Sequence, residues 1–432
     1  MIKKSLVVFF TIISILLCAI LFLQIDNEVD PNLQRILDSE HKTDNEAYFF
    51  LLGFMAGPME DPVSTGKKYF ADIEQQQREN LKRPVSEQFL EFNVDPGLPE
   101  LKGSLLCRYS EENCLATIFN AIESIPALIT KHQIYMQRFD KFTDYQDFQT
   151  LTEASILEPL LDYSPIINTV RLLSLKQIYR AASGETKESI NALLYTHDQI
   201  RKQLTLQDTI IGKLIFLNLL SENIDLIYLI SRNHNEILTT EIQPLNTKER
   251  SLLAPLNREI KMMNNLYQSL DKAPDIFHKV GETNGFRFPT WLTRALFKPN
   301  MSSNESYKPL HYYAKLSEAN ITRFSEQLLT QSDYPTLAMH HFRNWIGTVL
   351  TQMATTDYSK IIARFWSINN KIRLFNTNIC KPSMKHSFDQ ATNLFPSLKH
   401  EKAYLRENET QVCLNSPNND VMQYDCLQIK IN

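Results

Sequence analysis

Ten glycines in 432 residues is the scarcity that most narrows what this chain can become. Five lie before residue 104 (Gly53, Gly57, Gly66, Gly97, Gly103), and the remaining five are spread over the rest: Gly184, Gly212, Gly281, Gly285 and Gly347. Dinucleotide-binding folds, P-loops and hydrolase nucleophile elbows all need glycine where the backbone turns sharply or approaches a phosphate. No GxGxxG, GxxxxGK or GxSxG occurs. Hydrophobic residues make up 43% of the chain, enough to bury an ordinary core. Long helices with few tight turns are the consistent solution. The fold predicted is all-α, an N-terminal transmembrane helix followed by an irregular, possibly solenoid-like array of antiparallel helices.

The N-terminus reads MIKK and then SLVVFFTIISILLCAILFLQ, residues 5–24, without a charge. About 20 predominantly apolar residues at 1.5 Å each match a hydrocarbon core of about 30 Å. Lys3 and Lys4 keep the tail, residues 1–4, in the cytoplasm and send the rest outward. A cleaved signal peptide is the competing reading, but Leu21, Phe22, Leu23 and Gln24 offer no small-residue cleavage site, and Leu17 is too bulky for a lipoprotein signal at Cys18. The expected plan is an anchor over 5–24, a polar stalk over 25–43, an exported helical body over 44–375 and an irregular cysteine-bearing cap over 376–432. In an oxidising compartment disulfides are expected. The close pairs Cys107/Cys114 and Cys413/Cys426 are the simplest partners, with Cys380 left over; spacing alone leaves the connectivity open.

Periodicity places the helices. The segment NEAYFFLLGFMAGPMEDP, residues 45–62, is too short to span a bilayer, and its Tyr48, Leu51, Leu52 and Met55 fall on one helical face. Asn45 starts that helix, Gly57-Pro58 stops it, and Asp61-Pro62 caps the next. Cys114 to Phe142 is helical with a kink or break at Pro126. Ser164-Pro165 opens a helix reaching Ala182, Ser183-Gly184 turns it, and Lys187 to Leu204 returns. Residues 206–232 form a core helix, because Lys213, Glu222, Asn223 and Asp225 interrupt the apolar run and each charge at bilayer depth costs roughly 2.5–3.5 kcal/mol. Lys298 to Pro309 reads as a polar surface loop, followed by helices over 316–332 and 334–355, and QYDCLQIKIN at the end as a strand.

The segment carrying Asn45, Ala47, Tyr48, Leu51, Leu52, Gly53 and Phe54, followed by Glu60, Asp61 and Pro62 behind one anchor, resembles a family of uncharacterised exported proteobacterial proteins. CxxxxxxCLA at Cys107 to Ala116 is a second point of likeness. The resemblance covers about the first quarter of the chain and implies an envelope location; with the anchor and its lysines, the expected place is the inner membrane, with the body in the periplasm. It implies no activity.

Candidate chemistry is sparse. His340-His341 are adjacent and point about 100° apart on a helix, a poor chelating pair; His132 and His197 are single positions. Glu60-Asp61 could pair as catalytic carboxylates, but capping already accounts for Asp61. The sequons at Asn300, Asn304, Asn320 and Asn408 matter only in a eukaryotic secretory pathway. Tyr135 to Phe139 and Arg364 to Trp366 mix aromatic and basic groups, yet a net charge of -4 gives no attraction for nucleic acid, and core packing or a protein partner fits better. No catalytic, metal or cofactor set is predicted. The functional expectation is a periplasmic helical binding or scaffold protein for an envelope protein or peptide; the alternative is an envelope hydrolase with a site assembled from dispersed residues.

Overall fold

The computed structural model describes residues 9–15, 21–39, 42–80, 97–109, 111, 113–234, 236, 241–272, 295–330, 334–335, 342–379, 391–398, 402–406, 410–415 and 422–429. Helix accounts for 69% and strand for 3%, which makes the chain all-α. Helix α1 spans Pro31–Leu37, α2 Glu46–Leu52, α3 Pro62–Asn80, α4 Cys114–Asn120, α5 Ile125–Lys131, α6 Gln133–Asp144, α7 Ser164–Ala182, α8 Thr186–Leu206 and α9 Ile210–Asn233. After a one-turn helix at Thr247–Arg250 come α10 Leu253–Lys272, α11 Pro299–Glu318, α12 Ile321–Thr330, α13 Trp345–Ala354 and α14 Ser359–Ile379.

The segment at residues 45–62 shows how local signals meet packing. The Asn45 side chain accepts from the Tyr48 N–H at 2.9 Å, capping α2, whose Ala47 to Leu51 are all buried. The helix ends at Leu52, earlier than Gly57, because Gly53 takes the C-cap and the chain turns there. Asp61 caps α3 by accepting from the N–H and hydroxyl of Ser64, both at 2.9 Å. The two helices touch backbone to backbone: a Cβ on Gly53 would collide with the Pro62 carbonyl, and one on Gly66 with the Phe49 carbonyl. Arg138 on α6 locks the turn. Its guanidinium donates to the carbonyls of Phe54 and Ala56, each at 2.6 Å, and of Gly57 at 2.8 Å.

Helices α7, α8 and α9 form the central up-down unit, and α9 runs through the core with most of its surface covered. Among the described residues it is the one helix long and apolar enough to cross a membrane, yet it is mostly buried inside the protein. Each charge that interrupts it has a partner. Glu222 meets Arg171 at 3.0 Å, Asp225 meets Lys371 of α14 at 2.6 Å, and Lys213 donates to the Glu249 carbonyl at 3.2 Å. Helices α10 and α11 make a second antiparallel pair.

Three short strands, β1 Tyr404–Arg406, β2 Gln411–Cys413 and β3 Cys426–Gln428, pair antiparallel in that order. Cys413 faces Cys426 across β2 and β3, and the two form a disulfide; Cys107 and Cys114 form another. The sheet is stitched to α9 by the Gln428 N–H donating to Asp225 at 3.0 Å and Arg232 donating to the Ile429 carbonyl at 3.2 Å.

Five expectations need correction. Residues 299–309, expected within a surface loop, are the first half of helix α11. Its serines fold their hydroxyls back onto the backbone, Ser302 to the Lys298 carbonyl at 2.8 Å and Ser306 to Ser303 at 3.1 Å, so a polar face is buried. The expected helix over 316–332 is broken at Ala319, and of 334–355 only 345–354 is α-helical among the described residues. Between Cys114 and Phe142 the chain breaks at Ala121, and Pro126 sits in the first turn of α5, where its missing N–H costs nothing. The stretch expected as a free stalk is docked: Leu33 of α1 is fully buried and residues 26–30 hydrogen-bond to α11.

Of the expected anchor, residues 5–8 and 16–20 lie outside the described set, while 9–15 and 21–24 are helical. His340, His341, Cys380 and Asn408 also lie outside it.

Candidate functional site

Between α6 and α7 the chain crosses the body without regular structure, and two remote side chains, Arg258 and Asp208, pin it. Arg258 of α10 donates to the Thr152 carbonyl at 2.7 Å and the Thr150 carbonyl at 3.4 Å, and pairs with Glu158. Glu158 in turn accepts from the Thr152 hydroxyl. Asp208, in the turn between α8 and α9, accepts from the Thr150 N–H at 2.8 Å and its hydroxyl at 2.7 Å. Burial pushes Glu158 and Asp208 above the usual carboxylate range, with Arg258 opposing the shift at both. Glu259 beside them is raised by burial and by the Glu158 charge.

Two cavities flank this knot and share Arg258 as a wall. The first, about 500 Å³, is lined by Lys42, Gln149, Asn257, Lys261 and Asn265, with Glu153 and Asp208. The Asn257 side-chain oxygen is buried there without a hydrogen-bond partner. The second, about 300 Å³, is lined mainly by Ile156, Leu160, Leu161, Ile210, Ile211 and Met262. Leu160 is 72% exposed and Ile156 56%, so an apolar rim stands open to solvent. The first cavity is the more polar of the two, although Leu37, Phe148 and Leu206 also line it, and the second is the more apolar. A ligand with one polar and one apolar part fits both together. Arg258 already serves three partners, which makes it a strut for the 150–158 segment and not a free anion receptor.

The residues singled out from the sequence sit elsewhere. Glu60 accepts from the Gly57 N–H at 2.7 Å, and the Ser64 bonds hold Asp61 below the usual carboxylate range. Tyr135, Met136, Arg138 and Phe139 are core, as are Phe365 and Trp366, and Arg250 stacks on Trp366 at 4.1 Å. His132 is buried, and burial lowers its pKa. His197 is buried and held neutral, its pKa lowered to about 3 by burial. Asn300 and Asn304 bind the N-terminal segment, and Asn320 accepts from the Arg323 N–H at α12. No cluster of three or more metal-ligating side chains occurs among the described residues.

A second cluster looks chemical and is structural. Lys371 lies 2.8 Å from the Ser221 hydroxyl, the spacing of a Ser–Lys nucleophile pair. Yet Lys371 is fully buried, its charge is matched by Asp225, and none of the four cavities described reaches it. Sequence reasoning missed Arg258, Glu158 and Asp208; the only local signal was the helix-poor run SILEPLLDYSP. No protein-family model matches the chain, and no curated protein or solved structure is similar to it.

Proposed function

We propose that the chain is a single-pass, membrane-anchored binding module of the bacterial envelope, exposed on the periplasmic side, which holds a peptide segment of a partner protein beside Arg258. The paired cavities, one the more polar and one the more apolar, support this reading. A peptide offers both complements: a backbone N–H for the unpartnered Asn257 oxygen on the first side, and an apolar side chain for the Ile156 and Leu160 side. Anchor and compartment have separate support. Phe9, Phe10, Ile12, Ile15, Leu21 and Phe22 are all exposed on the N-terminal helical segments, an arrangement suited to lipid. The two disulfides suit an oxidising compartment.

Photo-crosslinking groups at Leu160 and Asn265 of the full chain, in cells, test the reading. Both positions are expected to capture one common partner, and Tyr195, exposed on α8, to capture none. Leu160→Asp is expected to abolish capture from Asn265. Absence of a common partner would remove the binding reading. A hydrolytic activity on peptide or peptidoglycan, lost in Glu158→Gln, would replace it with the enzyme.

A further inference from the structure

Helix α13 carries a second apolar side beyond the one it needs for packing. Inward it presents Gly347, Thr348 and Thr351, buried with Asn344 just before it, and Ile346 and Leu350, half-buried against the core. Asn344 accepts from the Lys298 N–H at 2.8 Å, and a Cβ on Gly347 would strike Ser302 and Asn344, so this face is a fitted contact. The outward side is apolar. Phe342 is 75% exposed, Trp345 49%, Val349 38% and Met353 81%. Trp345, Val349 and Met353, four apart, form one stripe of the helix, and Phe342 stands in the 3-10 turn just before it. A helix in water keeps its outward side polar; one that exposes Trp, Val and Met there, with Phe342 just before it, has a second apolar surrounding on the outside.

What lies outside is marked by the neighbour. Arg343, in that 3-10 turn, donates to the Ile25 carbonyl at 3.2 Å and to Asn27 at 3.0 Å, and its guanidinium stands 4.8 Å from the Phe22 ring. These are the residues where the apolar N-terminal segment ends. The stripe therefore starts at the point where an anchor over 5–24 would leave the bilayer, and ten residues of helix extend only about 15 Å from it.

Resting on the anchor reading above, we propose that α13 lies in the membrane–water interface beside the anchor, its Trp345, Val349 and Met353 stripe and the adjacent Phe342 immersed among phospholipid headgroups and upper acyl chains. The body is then fastened to the bilayer twice, by a spanning helix and by an interfacial one. Tryptophan is a favoured side chain at that depth, and Arg343 reaches the headgroup level as an interfacial arginine does.

The test uses the full chain reconstituted into phospholipid vesicles, some carrying lipid brominated high on the acyl chain. Trp345 emission is isolated as the difference between the native chain and Trp345→Phe, which subtracts Trp291 and Trp366. Alkaline carbonate extraction is run in parallel. The expected result is a chain that resists extraction and whose Trp345 emission is mostly quenched by the brominated lipid. Quenching is expected to disappear in Phe342→Ser/Met353→Ser while resistance to extraction persists. A resistant chain with unquenched Trp345 overturns the interfacial helix and leaves the anchor standing. An unquenched but blue-shifted Trp345 assigns the stripe to a second copy or another protein, and equally overturns the proposal. A chain released by carbonate removes the anchor itself.

Discussion

Two stretches of this chain are apolar enough to enter a membrane, and the protein treats them in opposite ways. The N-terminal run over 5–24 has no charge, and its described helical residues turn Phe9, Phe10, Ile12, Ile15, Leu21 and Phe22 outward. Helix α9 carries Lys213, Glu222, Asn223 and Asp225, and every one is buried against a partner from elsewhere in the fold. Length and apolar content make both candidates for a membrane span. What separates them is the charged groups: in α9 they lie inside the helix and face matched charges and carbonyls, while around the N-terminal run they lie only beyond its ends. A charged residue inside an apolar helix thus points to a partner waiting in the fold, and at α9 that partner is Arg171, Lys371 or a backbone carbonyl.

The comparison breaks most visibly at Lys371. Lys371→Met leaves Asp225 buried without its counter-ion, and removal of one member of a buried pair typically costs about 3–5 kcal/mol. The Gln428 N–H still bonds Asp225, so the strand stays attached while the carboxylate is stranded. Lys371→Met/Asp225→Asn removes the charge and keeps that acceptor, and is expected to recover most of the loss. Chemical denaturation of the three proteins measures this. A single variant as stable as the native chain would mean that α9 tolerates an unmatched charge, and the contrast with the N-terminal run would lose its basis.

Much of this was legible because it was local. The Asn45 and Asp61 caps, the Ser164–Ala182 helix and its return over 186–206 follow from signals within a few residues of each boundary. The larger misses depend on distant partners. Residues 298–309 looked like a loop because Ser and Asn usually face solvent, whereas here Ser303 bonds Asn264 of α10 and Ser302 meets Asn344. The knot at Arg258 joins positions 100 to 108 residues apart, a separation over which spacing carries no information. In α9 the charges themselves were visible and only their partners were hidden.

A sharper contrast comes from pH. Beside the Lys371–Asp225 pair, burial raises the Asp425 carboxyl to about 7, against the lowering influence of Ser367 and Lys371. Its unfolded value is about 3.9. Between those values the native state holds a proton that the unfolded chain has released, so stability is greatest below the lower one and falls as pH rises towards 7. His197 acts with the opposite sign: its native pKa of about 3 lies below its unfolded value, so stability is lost as pH falls beneath about 6.5. Asp425→Asn fixes the neutral state. The difference between native chain and variant, measured by denaturation from pH 4 to 8, isolates one group. It is expected to favour the variant increasingly as pH rises, by at most about 1.4 kcal/mol per pH unit, and to level off near 7. A flat difference would place Asp425 in a more solvated setting than its burial indicates.

The smallest effect expected lies at the other end of the comparison, where the N-terminal run meets the body. Helix α11 begins Lys298-Pro299, and the Lys298 side chain makes no cap bond. The free N–H groups of Asn300 and Met301 are met instead by Asp26, at 2.9 and 3.2 Å, a cap supplied from 274 residues upstream. A carboxylate there answers both the unpaired donors and the positive end of the helix. Asp26→Ala should therefore cost about 0.5–2 kcal/mol, the usual range for losing a cap. Asn32 and Asn304 make neighbouring contacts that stay in place, the Asn32 N–H to Asp30 at 2.7 Å and the Asp30 N–H to Asn304 at 2.8 Å. Asp26→Asn, which keeps an acceptor but drops the charge, should cost less. Hydrogen exchange at the Asn300 and Met301 amides separates this from a general loosening: those two should speed up while the α9 amides do not change. If they are unaffected, residues 25–30 are a spacer after all, joining the N-terminal run to the body without bracing one against the other.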